Sequence, residues 1–365
     1  MDVVPDVSAD RPTDASAVRA SSLGAYTTLR LGGPAGTLTV AAEPDEAVST
    51  VRGAARKGQP VLVLAGGSNV VIGDDGYPGT VVLLRTRGIR VVGQDDRGVL
   101  VRVAAGEPWD DLVAHTLERG LAGLEALSGI PGSTGATPIQ NVGAYGQEVA
   151  HTIEAVHVYD RHEDTMRVLS VPECGFAYRS SIFKHSDRWL VLDVDFRLPE
   201  TAESAPIRYA ELAGRLGVTA GERVSAARVR ETVLKLRAGK GMVLDPADPD
   251  TRSVGSFFTN PVLSAQEWAG VQDRLVDAGE PPSWPAPNGT VKVPAAWLIE
   301  KAGFGKGYSG ADGVAISSKH TLALTNRGSG TTAALLDLAR EIRNGVRDRF
   351  GVVLHPEPVL VNCAL

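Results

Sequence analysis

Cysteine is scarce in this sequence of 365 residues, which contains Cys174 and Cys363. The two lie far apart, and neither belongs to a C-x-x-C pair or to a histidine cluster with metal-ligand spacing. The sequence therefore predicts neither a disulfide framework nor a metal site. A reducing cytoplasm is the expected compartment.

Long apolar runs and concentrated positive charge are also absent. No stretch of 18 apolar residues occurs, so the sequence predicts no membrane-spanning helix. The formal net charge is -6, and no stripe of lysine and arginine with interleaved aromatics is present. A nucleic-acid partner is therefore not expected, and a small-molecule ligand is the default prediction.

The remaining composition is that of a globular protein, with 43% hydrophobic and 22% charged residues. A chain of this length is long enough for two or three domains. Residues 1–20 are rich in Asp, Ser, Ala and Pro, and they lack the basic and apolar regions of a signal peptide. We expect this segment to be a disordered tail.

Hydrophobic periodicity predicts a mixture of strands and helices, and hence an α+β fold. Strands are expected at residues 37–42, 61–64, 82–84, 89–92, 99–104, 156–159, 189–198, 314–317 and 358–361. Helices are expected at residues 44–55, 109–119, 225–236, 264–278, 295–302 and 331–350.

Two glycine-rich segments are candidates for binding an anionic ligand. The first, residues 65–69, follows a predicted strand, where bare backbone N–H groups can approach an anion; a tight turn is the alternative. The second, residues 129–146, is too long and too apolar for a flexible linker. It adds hydrogen-bonding side chains from Ser133, Thr134, Gln140 and Asn141. Two such loops suit a large dinucleotide.

A third glycine-rich segment, residues 305–310, matches the dinucleotide-binding pattern G-x-G-x-x-G letter for letter. A Rossmann fingerprint follows a strand and opens a helix, whereas this segment follows a predicted helix and precedes a strand. We therefore predict an ordinary loop here, and no separate nicotinamide-dinucleotide domain.

Three polar residues are candidates for chemistry. Ser256 has no adjacent general base and lies outside a G-x-S-x-G elbow, so we interpret it as a proton donor rather than a nucleophile. Arg179 offers a planar, permanently charged fork for a carboxylate or phosphate, although taken alone an exposed surface arginine is the alternative. Glu357 lies between two prolines and ahead of a predicted strand.

Together these segments resemble the UDP-N-acetylenolpyruvoylglucosamine reductases, flavin enzymes that make UDP-N-acetylmuramic acid for bacterial cell-wall synthesis. The resemblance spans nearly the whole chain after residue 20. It rests on motifs in the same order at residues 28–35, 65–69, 129–146, 178–184, 255–261, 294–300 and 355–357.

The resemblance implies a FAD-binding domain of the vanillyl-alcohol oxidase and p-cresol methylhydroxylase type, followed by a C-terminal α+β substrate-binding domain. The FAD-binding domain is expected to have two α+β subdomains, at residues 21–86 and 87–240. The substrate-binding domain is expected at residues 241–354, and a strand within residues 355–365 is expected to return to the first subdomain.

The resemblance also implies non-covalent FAD, with NADPH and a sugar nucleotide using one cleft in turn. The residues expected to bind FAD are Gly66, Gly67, Ser68, Asn69, Gly132, Ser133, Gly135, Ala136, Gln140, Asn141, Gly143, Ala144 and Tyr145. Those expected to bind the substrate are Tyr178, Tyr209, Lys240, Asn260 and Lys292. Ala65 departs from the glycine that the family often has, which is tolerable if that residue keeps a negative φ. A monomer is expected.

The reaction implied is the reduction of UDP-N-acetylglucosamine enolpyruvate to UDP-N-acetylmuramate. In that family, reduced flavin gives hydride to the enolpyruvyl methylene carbon and a serine protonates the resulting carbanion. Ser256 lies at the position of that serine. Arg179 and Glu357 match the positions that polarise the substrate carboxylate and stabilise the developing enolate.

Two other functions remain open from the sequence. The first is an oxidase on the same flavin fold, which oxidises a sugar or an alcohol with oxygen and often tethers FAD covalently through His or Cys. The second is a non-catalytic protein that binds a sugar nucleotide. The presence of Arg179, Ser256 and Glu357 together argues against this second alternative.

Overall fold

The computed structural model describes residues 22–275 and 279–365, so the tail predicted for residues 1–20 lies outside the described part of the chain. The α-helices are α1 (Pro44–Arg56), α2 (Trp109–Glu118), α3 (Val171–Cys174), α4 (Ala210–Leu216), α5 (Ala226–Gly239), α6 (Ala265–Gln272), α7 (Ala295–Lys301) and α8 (Thr332–Phe350).

The strands of the first half are β1 (Ala35–Ala41), β2 (Val61–Leu64), β3 (Val70–Ile72), β4 (Tyr77–Leu84), β5 (Ile89–Asp95), β6 (Gly98–Ala104), β7 (Gly143–Ala144), β8 (Gln147–Glu148), β9 (Ile153–Asp160) and β10 (Thr165–Ser170). Those of the second half are β11 (Trp189–Leu198), β12 (Val262–Leu263), β13 (Trp284–Ala286), β14 (Thr290–Lys292), β15 (Val314–Ile316), β16 (Leu324–Asn326) and β17 (Val359–Val361).

The N-terminal part contains a parallel sheet with the strand order β1-β4-β2. Helix α1 connects β1 with β2 and begins with a capping box, in which the side chains of Glu43 and Glu46 each accept a backbone N–H. Its Ala47, Val48 and Val51 are buried. Strand β2 then ends directly before the first glycine loop, which places that loop at the carboxyl edge of the parallel sheet.

The middle part contains an antiparallel sheet with the strand order β10-β9-β11-β6-β5. One hydrophobic core joins this sheet to α1 and α2, and it includes the Trp109 and Phe196 rings, whose centroids lie 6.0 Å apart. A smaller core joins α4 to α5 and contains Ile207, Leu212 and Val233. The second glycine loop leads from α2 toward β9, and its end forms the first strand and the turn of the short β7–β8 hairpin.

The C-terminal part packs around α8, whose buried face contacts α7, β15 and β16. Its first turn is also held by the N-terminal part. The Asp74 carboxylate accepts the backbone N–H groups of Thr332 and Ala333 at 2.8 and 2.9 Å, and the Thr332 hydroxyl donates to the Ile72 carbonyl at 2.6 Å. An acidic side chain at a helix N-terminus complements the helix dipole. These bonds fix the C-terminal part against β3 and the turn that follows it.

The chain returns to the N-terminal part at β17, which pairs in parallel with β3. The strands and helices expected from periodicity are present, with bounds that differ by a few residues. The periodicity missed β10, α4 and several short elements, among them β3, β14 and β16. It also made the helix after Ser264 too long, since α6 ends at Gln272. Within the described residues, no helix has the length and apolar character to cross a membrane.

Candidate active site

A cavity of about 620 Å³ lies where the three parts of the chain meet. Its wall is formed by both glycine loops, by the segment around Arg179, by Val254, Gly255 and Ser256, and by Glu357. Ligand sites typically have volumes of about 300 to 1,000 Å³. The cavity therefore has the size of a ligand or cofactor site.

The first glycine loop packs backbone to backbone against its neighbours. A Cβ atom on Gly66 would lie 2.6 Å from the Cα of Gly132 in the second loop. Gly67 has a φ of +61°, and a Cβ atom there would lie 2.1 Å from the carbonyl oxygen of Tyr26. Both positions thus require glycine, Gly67 for its conformation as well as for space.

We expect Gly67→Ala to destabilise the protein and to lower its flavin content. The left-handed conformation alone costs an alanine about 1 to 2 kcal/mol, and the contact with Tyr26 adds to this. The matched control is Gly53→Ala, because a Cβ on Gly53 in α1 meets nothing within 4 Å and alanine favours a helix. Thermal unfolding and the flavin absorbance of the purified variants measure both effects. Equal stability of the two variants would contradict the expectation.

The second glycine loop is tied to the first by a hydrogen bond from the Asn69 amide to the Gln140 side chain, at 2.8 Å. Its Ser133 hydroxyl lines the cavity and is buried without a hydrogen-bond partner among the described residues. A buried hydroxyl without a partner is costly, and a ligand oxygen in the cavity would satisfy it. This hydroxyl and the glycine-lined walls fit the phosphate-bearing cofactor FAD.

Most of the residues expected to bind FAD line the cavity, namely Gly66, Gly67, Ser68, Asn69, Gly132, Ser133, Gly135, Ala136, Gln140 and Gly143. Asn141, Ala144 and Tyr145 are not part of this wall. The Asn141 amide instead donates to Glu148 at 2.8 Å and to the Ala177 carbonyl at 3.2 Å. Its side chain therefore holds the loop in shape.

Ser256 and Glu357 come together through antiparallel pairing of two extended segments. The backbone N–H of Glu357 donates to the Phe257 carbonyl at 2.8 Å, and Phe258 forms a bridge with Pro356. The rings of Phe257 and Phe258 are fully buried and meet edge to face, with centroids 5.1 Å apart. These two aromatic anchors fix the backbone on which the half-buried Ser256 lies.

Arg179 reaches the same wall from a tight turn in which it adopts a left-handed φ of +52°. Its guanidinium donates to the Gly143 carbonyl at 2.6 Å and to the Asn141 carbonyl at 3.4 Å. The Nε atom lies 3.5 Å from a carboxylate oxygen of Glu357. Arg179 therefore connects the second glycine loop with Glu357, and residues with strained backbone conformations cluster at active sites.

Glu357 is largely buried, with 16% of its side chain exposed. Burial raises the pKa of its carboxyl, and the nearby cations Arg179, Lys184 and Lys292 oppose that shift. The Lys184 ammonium donates to the Arg179 carbonyl at 3.1 Å, and burial lowers the pKa of this lysine. Lys184 thus supports the Arg179 turn and the charge balance around Glu357.

We expect Lys184→Met to move the pH profile of flavin reoxidation to higher pH. The Lys184 ammonium stabilises the Glu357 carboxylate, so removing the ammonium raises the pKa of Glu357. The limb of the pH profile that follows the ionisation of Glu357 therefore moves to higher pH. The rate should also fall about tenfold, the value of one charge-assisted hydrogen bond. Lys184→Arg keeps the positive charge and is the control. A limb that stays in place or moves to lower pH would argue against this role.

The residues expected at the substrate lie around the cavity, outside its immediate wall. The Lys292 ammonium lies 3.5 Å from the centre of the Tyr178 ring. On another side, the Tyr145 and Tyr209 rings meet edge to face at 5.6 Å, and Lys240 pairs with Glu211 at 2.7 Å. The Asn260 side chain accepts the Ala295 N–H at 2.9 Å and so supports the start of α7.

Arg237 is a cavity residue that the sequence reasoning missed. It lies in the last turn of α5, is buried, and lines the cavity. Its Nη2 atom donates to the Met242 carbonyl at 2.9 Å, while its buried Nε has no hydrogen-bond partner among the described residues. Burial lowers the pKa of this arginine. The available signal was its spacing of three residues from Lys240 at the end of a predicted helix.

Comparisons with known proteins match both ends of the chain. A family model of a FAD binding domain matches residues 36–169, and a model of the UDP-N-acetylenolpyruvoylglucosamine reductase C-terminal domain matches residues 246–361. The expected α+β fold, with a FAD-binding domain ahead of a separate C-terminal domain, is confirmed.

Whole-length relatives agree with these matches. The chain is 62% identical to the UDP-N-acetylenolpyruvoylglucosamine reductase of Salinispora arenicola, over 100% of both sequences. It is 56% identical to that of Thermobifida fusca, over 94% of this chain and 97% of the relative. The solved structure of the Thermus caldophilus reductase superposes with a TM-score of 0.64 at 26% identity, covering 94% of this chain and 98% of the other. The chain belongs to the UDP-N-acetylenolpyruvoylglucosamine reductase family.

Proposed function

We propose that this FAD-dependent oxidoreductase reduces UDP-N-acetylglucosamine enolpyruvate to UDP-N-acetylmuramate with NADPH, with Ser256, Arg179 and Glu357 as its catalytic residues. The observation that carries these assignments is their convergence on one glycine-lined cavity. The product feeds peptidoglycan synthesis, and relatives that cover the full chain carry the name of this reductase.

The cofactor is FAD, and the residues placed to hold it are those of the two glycine loops. Backbone N–H groups of Gly66 and Gly67 and the hydroxyl of Ser133 are available for its phosphates and polar edges. When bound, FAD supplies to the substrate the hydride that NADPH has delivered. The protein contributes binding, orientation and the proton.

Ser256 donates the proton that completes the reduction. A serine hydroxyl is a very weak acid, so it protonates only a strongly basic carbanion. No hydrogen bond joins the Ser256 hydroxyl to a general base within the described residues. The buried Phe257 beside it anchors the backbone, which keeps Ser256 in the cavity wall.

Arg179 and Glu357 stabilise the charge that forms on the substrate. The Arg179 guanidinium is permanently positive and faces the carboxylate and the developing enolate of the enolpyruvyl group. Glu357, whose pKa is raised by burial, supplies a carboxyl that can share a proton with the substrate oxygen. Tyr178, Tyr209, Lys240, Asn260 and Lys292, which lie outside the cavity wall, are the proposed contacts of the sugar nucleotide.

The test is an anaerobic experiment on the two half-reactions. NADPH should bleach the flavin absorbance, and the enolpyruvyl sugar nucleotide should restore it, with ping-pong kinetics because both ligands use one cleft. Acid precipitation should release the flavin into solution. A flavin that stays attached to the protein, or one that only oxygen can reoxidise, would instead favour an oxidase.

The dependence on NADPH and on a sugar nucleotide also supports our proposal of a cytoplasmic enzyme. The expectation of a monomer stays a prediction. Light scattering coupled to size-exclusion chromatography tests it directly, with a mass of 38.3 kDa expected for the single chain.

A further inference from the structure

A second cavity, of about 670 Å³, lies between the α4–α5 pair and the C-terminal part. We call it the basic cavity, because five of its lining side chains are cations and two are carboxylates. The cations are Arg215, Lys235, Lys240, Lys306 and Lys319, and the carboxylates are Glu211 and Glu300. The chain as a whole carries a net charge of -6. A positive cavity in an acidic protein attracts an anionic ligand.

The cations of this cavity differ in their pairing. Lys235 pairs with Glu231, Lys240 with Glu211, and Lys319 with Asp248. Among the described residues, no carboxylate oxygen lies within 4 Å of Lys306 or of Arg215. Lys306 belongs to the glycine-rich loop at residues 305–310, which is a loop as predicted and has no part in the flavin cavity.

His320 also lines the basic cavity. Its pKa falls to about 4, because its ring is largely buried and because Lys240, Lys306 and Arg237 add positive charge around it. A ring with this pKa is neutral at physiological pH. It adds a hydrogen-bonding group to the cavity without adding charge.

The basic cavity and the flavin cavity share one wall. Leu236, Gly239 and Lys240 face the basic cavity, whereas Arg237 and Gly241 line the flavin cavity. A ligand that lies across this short segment can have one end at the flavin and its other end among the cations. A dinucleotide has that extended form, with its phosphates between the two ends.

We infer that the basic cavity binds the adenosine end of NADPH, and that Lys306, with Arg215 in the same cavity wall, contacts the 2′-phosphate and so selects NADPH over NADH. This inference rests on the proposed function. The 2′-phosphate is a monoester carrying a charge of about -1.5 to -2 at pH 7. Lys240 is among the proposed contacts of the sugar nucleotide, so the unpaired cations Lys306 and Arg215 in the same cavity match the additional phosphate of NADPH.

The test compares Lys306→Gln with the wild-type holoenzyme in flavin reduction by NADPH and by NADH. We expect the preference for NADPH to fall about 10- to 100-fold, the value of a charge-assisted contact to phosphate, with the rate for NADH unchanged. Arg215→Gln should act in the same direction. Lys57→Gln is the control, because this exposed lysine directly follows α1 in the N-terminal part.

Calorimetry provides a readout that does not depend on turnover. Adenosine 2′,5′-bisphosphate should bind the wild type more tightly than 5′-AMP, and Lys306→Gln should lose that difference. An unchanged NADPH preference overturns the inference, as does a variant that weakens only the binding of the sugar nucleotide. A wild type whose flavin NADPH cannot reduce would instead contradict the proposed function, before any variant is compared.

Discussion

Replacing Ser256 with alanine is expected to slow the reoxidation of reduced flavin by the enolpyruvyl sugar nucleotide about 10²- to 10⁴-fold, the usual contribution of a positioned acid. Reduction of the flavin by NADPH should proceed at the wild-type rate, because that half-reaction needs no proton from Ser256. The measurement is anaerobic stopped-flow absorbance of the flavin, with each half-reaction recorded separately.

Two further variants sharpen this experiment. Ser49→Ala, on the exposed face of α1, removes a hydroxyl far from the cavity wall and should leave both half-reactions unchanged. Ser256→Cys keeps a group that can give up a proton and should reoxidise faster than Ser256→Ala. Equal reoxidation rates for Ser256→Ala and the wild type would remove Ser256 as the acid.

Arg179→Met is expected to lower kcat/KM for the sugar nucleotide about 10²- to 10³-fold, the loss typical when one charge-stabilising donor is removed from an active site. The same change takes the closest cation from Glu357, so the pKa of that carboxyl should rise further and move its limb of the pH profile upward. Steady-state kinetics across pH measure both effects.

Arg179→Lys separates charge from geometry. Lysine keeps the positive charge, but it cannot donate simultaneously to Gly143 and Asn141 while facing Glu357 in the same plane. We expect its activity to lie between those of Arg179→Met and the wild type. Arg56→Met, an exposed position at the end of α1, serves as the neutral control. Full activity in Arg179→Met would contradict the assigned role.

Sequence periodicity predicted those elements in which the apolar residues of the sequence are also the residues buried in the structure. Strand β11 lies in the interior of its sheet between β9 and β6, and its apolar residues mark its full length. Strand β10 is an edge strand whose Met166 and Val168 are exposed, so it carries no alternation between core and solvent. Helix α4 has seven residues including Gly214, and its core contacts come from α5.

The features of the candidate site likewise divide into those that the sequence predicts and those that depend on the fold. The glycine loops were visible in the sequence because the requirement for glycine is local, as the φ of Gly67 illustrates. The pairing of Glu357 with Phe257 joins positions about a hundred residues apart, so only the resemblance to a family brought them together beforehand. The sequence did not predict Arg237 as a cavity residue, because its burial depends on how α5 packs against the second glycine loop. Local sequence does not encode that packing.

The return of β17 to β3 sets an order of events during translation. Strand β3 adjoins the first glycine loop, yet its partner is made almost 300 residues later. At about 5 to 20 residues per second, this interval lasts on the order of tens of seconds. Until Val361 has left the ribosome, Val71 and Ile72 lack the strand that pairs with them. The nascent chain is thus expected to gain flavin only after this late step, so stalled chains should be colourless and sensitive to proteases.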